Sequence, residues 1–167
     1  VDGDTVVVRT ADGRTETVRY LLVDSPEVHH PVRGKEELGQ EALDWNRAMV
    51  EGKPVYLEFD RERRDAYGRL LAYVWVRDRG GCVLVNERLV RSGLCLYLEV
   101  GENRRRAGQL RRAFELARKE GRGIWQLFDG GKRSYTEEQA WAEADALRGH
   151  WILLTLDVKK VIRKGKG

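Results

Sequence analysis

Three acidic and two basic side chains stand out for the chemistry they could perform together. They are Asp4 in Asp2-Gly3-Asp4-Thr5, Arg19, Asp24 and Glu27 in Asp24-Ser25-Pro26-Glu27, and Arg69 in Tyr67-Gly68-Arg69. Asp4 and Asp24 lie at turn or strand-end signals, where short carboxylates can converge on a hard cation such as Ca²⁺ or Mg²⁺, which takes oxygen ligands. Such a cation polarises a phosphoryl oxygen, and a third carboxylate, Glu27, is then available to orient or deprotonate a water. Arginine stays protonated and donates two parallel hydrogen bonds to phosphate oxygens, the stabilisation required by a phosphodiester that is gaining negative charge. Singly, each residue reads as an ordinary turn or surface group, because Asp-Gly and Ser-Pro are common turn signals and charged side chains are mostly solvated. As a set in this order they suit metal-assisted cleavage of a phosphodiester.

The same segments carry a wider pattern. It includes Val18-Arg19-Tyr20-Leu21-Leu22-Val23-Asp24-Ser25-Pro26-Glu27, Gly39-Gln40-Glu41-Ala42, Tyr67-Gly68-Arg69-Leu70-Leu71-Ala72-Tyr73-Val74-Trp75 and Val85-Asn86-Glu87. Leu89-Val90-Arg91-Ser92-Gly93-Leu94 and Gly123-Ile124-Trp125 complete it. Over residues 1 to about 125 the chain resembles the staphylococcal (micrococcal) nuclease, or thermonuclease, family. The resemblance implies an α+β fold on a five-stranded oligonucleotide-binding (OB) barrel with about three helices. It also implies Ca²⁺-dependent endonuclease and exonuclease action on DNA and RNA, leaving 3′-phosphate ends. Position by position, it makes Asp4, Asp24 and the backbone carbonyl of Ser25 the Ca²⁺ ligands, Glu27 the residue that handles the attacking water, and Arg19 and Arg69 the phosphate-binding pair. Ser25 stands where the family usually has Thr, a change that a carbonyl ligand tolerates. The resemblance further implies that Tyr67 stacks on a base rather than packing on the barrel rim, with single strands preferred, and that Arg33 and Lys35 touch nucleic acid.

One departure from the family is substantive: Glu99 and Gly101 stand where relatives carry a pair of tyrosines that contact the nucleotide. Neither can stack on a base, and Glu99 would repel phosphate. The alternative function is a catalytically silent OB-fold module that binds nucleic acid or protein. Such a copy is expected to have lost acidic ligands or arginines, whereas all five positions stand here. The adjacent His29-His30 pair reads as part of a solvated loop, since neighbouring loop residues seldom point the same way and no partner stands at helical metal-ligand spacing.

The elements that must position these groups follow from pattern. Residues 5–10 and 15–23 are rich in β-branched side chains and flank Ala11-Asp12-Gly13-Arg14, the signature of a hairpin whose second strand ends at Pro26. Strict alternation would put Arg19 and Asp24 on opposite faces of one strand, so a bulge or an early strand end is expected between them. Leu38, Ala42, Trp45 and Met49 recur at helical spacing over residues 38–51. Residues 55–60 and 70–76 read as strands, Asn86 as the cap of a short helix carrying Leu89 and Val90, and Leu110, Ala113, Phe114 and Ala117 as one face of a longer helix ending near Gly121. Arg104-Arg105-Arg106 either opens that helix against its dipole, as a phosphate contact would explain, or precedes a helix that begins near Gly108.

At 167 residues the chain holds one domain and an appendage: residues 1–128 as the nuclease-like domain and 129–167 as a helix-and-strand extension. In the extension Thr136 and Gln139 form a capping box, Ala140, Ala144 and Leu147 share a face, Gly149 ends the helix, and residues 151–162 offer a strand. Relatives place a full strand before their Asp-Gly-Asp-Thr motif, which here follows Val1 directly. Residues 151–162 are therefore expected to fill a missing barrel position, in their own chain or swapped into a second copy as a homo-oligomer, or else to open a second domain. A net charge of +4 permits a polyanionic partner without demanding one. Most of the 31 basic residues are arginine, which fits heat adaptation as well as phosphate binding. Cys82 and Cys95 read as buried free thiols, and no stretch has the apolar length of a membrane span. The compartment stays open: no signal peptide is visible, although family members are often secreted.

Overall fold

A computed structural model describes residues 2–28, 34–131, 133–154 and 156. The expected hairpin is present: β1 (Thr5–Arg9) pairs antiparallel with β2 (Thr15–Tyr20), Thr5 opposite Arg19. The second strand stops at Tyr20. Leu22 then takes a left-handed φ of 62°, and β3 (Val23–Asp24) starts a new pairing with a later strand. The parity problem between Arg19 and Asp24 is thus resolved by an early strand end, as expected, although extended structure does not run unbroken to Pro26.

Helix α1 (Gly39–Val50) follows and buries Ala42, Asn46 and Val50. Trp45 and Met49 pack only partly against the core, so the buried stripe is rotated from the one the apolar residues outline. The chain continues through β4 (Val55–Glu58), β5 (Leu70–Asp78), β6 (Gly81–Leu84), α2 (Val85–Arg91) and β7 (Leu96–Tyr97), which pairs with β3. Strand β5 is the axis of the sheet. Its first residues run parallel to β2, with Arg19 opposite Leu71, and its second half is paired on both edges, by β4 and by β6. The five strands form a mixed sheet in the order β1-β2-β5-β4 with β6 on β5. Among the described residues their hydrogen-bonded path does not close into a ring. The α+β class and the five strands are therefore as expected, and the closed barrel is not seen.

Helix α3 (Ala107–Lys119) buries Leu110, Ala113 and Ala117 against α2. It begins after the arginine run, so those arginines precede the helix and meet carboxylates instead: Arg106 Nη2 lies 2.9 Å from Glu58 Oε2, and Arg104 pairs with Glu99. Tyr20, Tyr73, Leu89, Leu110 and Ile124 are fully buried, and burying a side chain of that size contributes about 1.5–3 kcal/mol. Asn86 does not cap α2. It lies wholly inside, accepting from the Val74 N–H at 2.8 Å and donating to the Leu21 carbonyl at 2.9 Å. Cys95 is buried as expected, whereas Cys82 is exposed on β6, which lies at a sheet edge.

A 3₁₀ segment (Gly123–Gly131) closes the domain against the end of α2. There Gly93 and Gly123, both at positive φ, meet backbone to backbone, with the Ile124 N–H on the Gly93 carbonyl at 3.0 Å. A Cβ on Gly93 would fall 2.1 Å from the Arg122 oxygen, and one on Gly123 would fall 2.4 Å from the Gly93 oxygen. Beyond it, β8 (Ser134–Tyr135) pairs in parallel with β9 (Leu153–Leu154), around α4 (Glu137–Ala142). The capping box of Thr136 and Gln139 is formed, but the helix ends at Ala142, before Ala144 and Leu147, so Gly149 does not end it. Most of residues 151–162 lie outside the described residues, and the described part pairs with β8.

Candidate active site

The site is assembled where β1, β2 and β3 meet. Asp4 stands just before β1 and is buried, its Oδ2 accepting from the Ser25 N–H at 2.7 Å and its Oδ1 from the Thr5 hydroxyl at 3.1 Å. Arg19, near the end of β2, places Nη1 3.1 Å from Asp4 Oδ2 and Nη2 2.9 Å from Asp24 Oδ1, while Nη1 also donates to the Val23 carbonyl at 2.8 Å. One guanidinium thus holds both aspartates together. The left-handed turn at Leu22 makes this possible, and the Asn86 side chain fixes that turn by holding the Leu21 carbonyl.

Glu27 lies two residues beyond Ser25 and is half-buried. Burial, then the neighbouring Asp2 carboxylate and behind it Asp4 and Glu36, push its carboxyl above the ordinary carboxylate range. Its backbone N–H donates to Glu36 Oε2 at 2.9 Å, and α1 packs tightly on it, since a Cβ on Gly39 would sit 2.8 Å from the Glu27 carbonyl. Asp2 and Glu36 were not among the residues singled out from sequence. Asp2 lay in the same short motif as Asp4, but Glu36 carried no signal and arrives by folding alone.

Arg69 opens β5 from the other side. The carboxylate of Asp65 grips it, accepting from Nε at 2.7 Å and from its backbone N–H at 2.9 Å. Burial would raise the Asp65 carboxyl, but the hydrogen bonds from Arg69 outweigh it and hold the carboxyl below its usual range. The Arg69 guanidinium lies 5.6 Å from the centre of the Tyr67 ring, which is 85% exposed, an orientation suited to a stacking platform. Buried Asn103 secures this loop by accepting from the Glu62 N–H at 2.9 Å and donating to the Glu62 carbonyl at 3.2 Å. Arg19, Tyr67 and Arg69 line one hollow of about 500 Å³, together with Leu98 and Val100. Asp24, Ser25, Glu27 and Glu36 line a neighbouring one of about 340 Å³, so the Arg19–Asp24 ion pair stands on the border between the two.

The structure therefore brings together Asp4, Arg19, Asp24, Ser25 and Glu27, with Tyr67 and Arg69 across the adjoining hollow. Lys35 is exposed on a separate hollow with Glu37 and Glu41, and Arg33 lies outside the described residues, as do His29 and His30. Glu99 does not present an open negative charge: Arg104 and Arg111 both pair with it and the Tyr97 hydroxyl donates to it. Among the described residues no three His, Cys, Asp or Glu side chains cluster to hold a metal ion. The donor set for a hard cation is smaller: the two aspartates joined by Arg19 and the oxygens of Ser25, whose buried hydroxyl has no hydrogen-bond partner among the described residues. Two carboxylates and neutral oxygens, with room for water, fit a Ca²⁺-like ion.

The model of the staphylococcal nuclease homologue family matches residues 17–127. The chain is 40% identical over 127 residues to the SPbeta prophage-derived endonuclease YokF of Bacillus subtilis, covering 75% of this chain and 41% of that protein. It is 39% identical to endonuclease YncB of the same organism, with 75% and 58% covered. To the thermonuclease of Staphylococcus hyicus it is 34% identical over 125 residues, with 75% and 71% covered. The chain thus spans about half the length of the first two relatives.

Proposed function

Because the chain belongs to the staphylococcal nuclease family, we propose that it hydrolyses phosphodiester bonds of DNA and RNA in a Ca²⁺-dependent reaction that leaves 3′-phosphate ends. The observation that carries this reading is the Arg19 bridge. It gathers two aspartates that would otherwise repel, next to Glu27 and beside the hollow that contains Arg69. Asp4, Asp24 and the Ser25 carbonyl would hold the Ca²⁺, which supplies charge neutralisation at the phosphate and positions a water. Glu27, with its raised proton affinity, accepts a proton from that water. Arg19 and Arg69 donate to the phosphate oxygens as negative charge builds on them, and Tyr67 stacks on an unpaired base, which favours single strands. Family membership also supports an OB-type arrangement of the five strands.

The test is direct. A labelled single-stranded DNA or RNA should be cut in Ca²⁺, and cutting should cease when a chelator is in excess. End-group analysis should find 3′-phosphates. Undiminished cutting in chelator would overturn the metal assignment, and no cutting under any divalent ion would favour a silent binding module.

A further inference from the structure

Residues 133–154 lie beyond the segment matched by the family model, and Glu37 joins them to the catalytic loop by its carboxylate and its main chain. Glu37 pairs with Arg133 by two donors, takes His150 Nδ1 at 2.9 Å and the Trp151 N–H at 3.3 Å, and its own N–H donates to the Gly149 carbonyl at 3.0 Å. Its carbonyl accepts from Trp151 Nε1 at 3.4 Å. Residue 37 is thus a clamp. Glu36, its neighbour, lines the 340 Å³ hollow together with residues 147–151. The catalytic wall is acidic, with Asp24, Glu27 and Glu36, so a phosphate chain entering there needs positive charge facing it. Arg148 supplies it. Its ion pair with Asp145, at 2.8 Å between half-exposed and fully exposed side chains, is a solvent-screened surface pair that stabilises little, so a phosphate can take its place.

We propose that residues 147–151 form a second wall of the substrate cleft, that Arg148 contacts a backbone phosphate of the bound strand on the Glu27 side, and that Glu37 is the positioning residue that keeps this wall in place. The inference rests on the nuclease reading for the identity of the polyanion. It places a cationic contact in the hollow that Glu27 lines, separate from the one that Arg19 and Arg69 line, so the strand is held in both.

The test compares binding of a fluorescent single-stranded DNA in Ca²⁺ to the Glu27→Gln protein, whose slowed turnover preserves the strand during the measurement, and to the same protein carrying Arg148→Ala. Affinity should fall about fivefold, and the slope of log affinity against log salt should flatten by about 0.7, the value for one lost phosphate contact on a single strand. Arg148→Lys should restore the slope, Asp145→Ala should tighten binding, and Glu37→Ala should reproduce the flattened slope. Equal affinity and slope in the parent and the Arg148→Ala protein would overturn the inference while leaving the nuclease reading intact. A parent that does not bind the strand at all would overturn both.

Discussion

Replacing Asn86 with leucine, a side chain branched at the same carbon, should cost this protein more than most core changes and should damage the site without touching it. Asn86 is fully buried, and its two amide atoms satisfy the Val74 N–H in the central strand β5 and the Leu21 carbonyl in the turn before Asp24. Leucine leaves both backbone groups buried without partners, each at about 1–3 kcal/mol, so the expected loss is about 2–6 kcal/mol. For a domain of this size, at about 2–4 °C per kcal/mol, that is a fall in Tm of roughly 4–24 °C. The Leu21 carbonyl also anchors the left-handed turn at Leu22, a conformation that costs about 1–2 kcal/mol for a non-glycine residue and persists only while its surroundings impose it. Once released, the turn should relax and move Asp24 away from Arg19. Thermal unfolding by circular dichroism, together with activity measured well below the variant's Tm, tests both links. An unchanged Tm would refute the energetic argument, and a lowered Tm with full activity in the folded state would refute the claim that Asn86 positions Asp24.

Other outcomes follow from the same geometry. Arg69→Lys should lower kcat/KM by about 10²-fold, because an ammonium cannot both hold Asp65 and make a two-pronged phosphate contact; steady-state kinetics would show it, and a change under threefold would remove Arg69 from the reaction. Glu27→Gln should slow turnover while leaving Ca²⁺ affinity by calorimetry nearly unchanged, and loss of that affinity would make Glu27 a metal ligand instead. For Glu37, burial alone would raise the carboxyl, but hydrogen bonds from Arg133, His150 and the Trp151 N–H hold it at about 2. A carboxyl lowered in this way contributes its full stabilisation above its unfolded value of 4.5 and loses it as pH falls towards 2. Amide exchange in residues 137–151, corrected for intrinsic rates, should therefore rise over that acid window while the β5 amides stay protected, and uniform protection across it would refute the clamp.

What the sequence made legible was mostly local. The alternation of a strand exposed the conflict between Arg19 and Asp24 and so foretold the break between β2 and β3. Apolar spacing located α3 and its buried face, and the capping box located α4. Side chains whose role depends on distant partners escaped. Asn86 stood where a helix cap should stand, but its amide reaches Leu21, 65 residues away in sequence. Asn46 supplies the buried stripe of α1 in preference to Trp45 because its amide receives the Tyr20 hydroxyl, a contact no hydrophobic pattern encodes. The pattern allowed Arg104, Arg105 and Arg106 either a phosphate contact or a place ahead of the helix; the helix does begin after them, and folding brings Glu58 and Glu99 beside them. Cys82 is exposed because its strand lies at a sheet edge, which composition does not reveal. Nor does any local pattern show that Arg133 and residues 149–151 meet Glu37.

The contact between Gly93 and Gly123 bears on how this protein can vary over descent. Each glycine lies against main-chain atoms, so a neighbouring side chain cannot make room by turning aside. Exchanging both residues together would be no remedy, because each new methyl would still meet a peptide carbonyl. No ordered series of single replacements leads away from this pair while α2 and the 3₁₀ segment keep their present course. Any descendant that carries a side chain at either position must first have rerouted the chain between residues 93 and 123, and the two glycines therefore record the backbone path rather than the chemistry it supports.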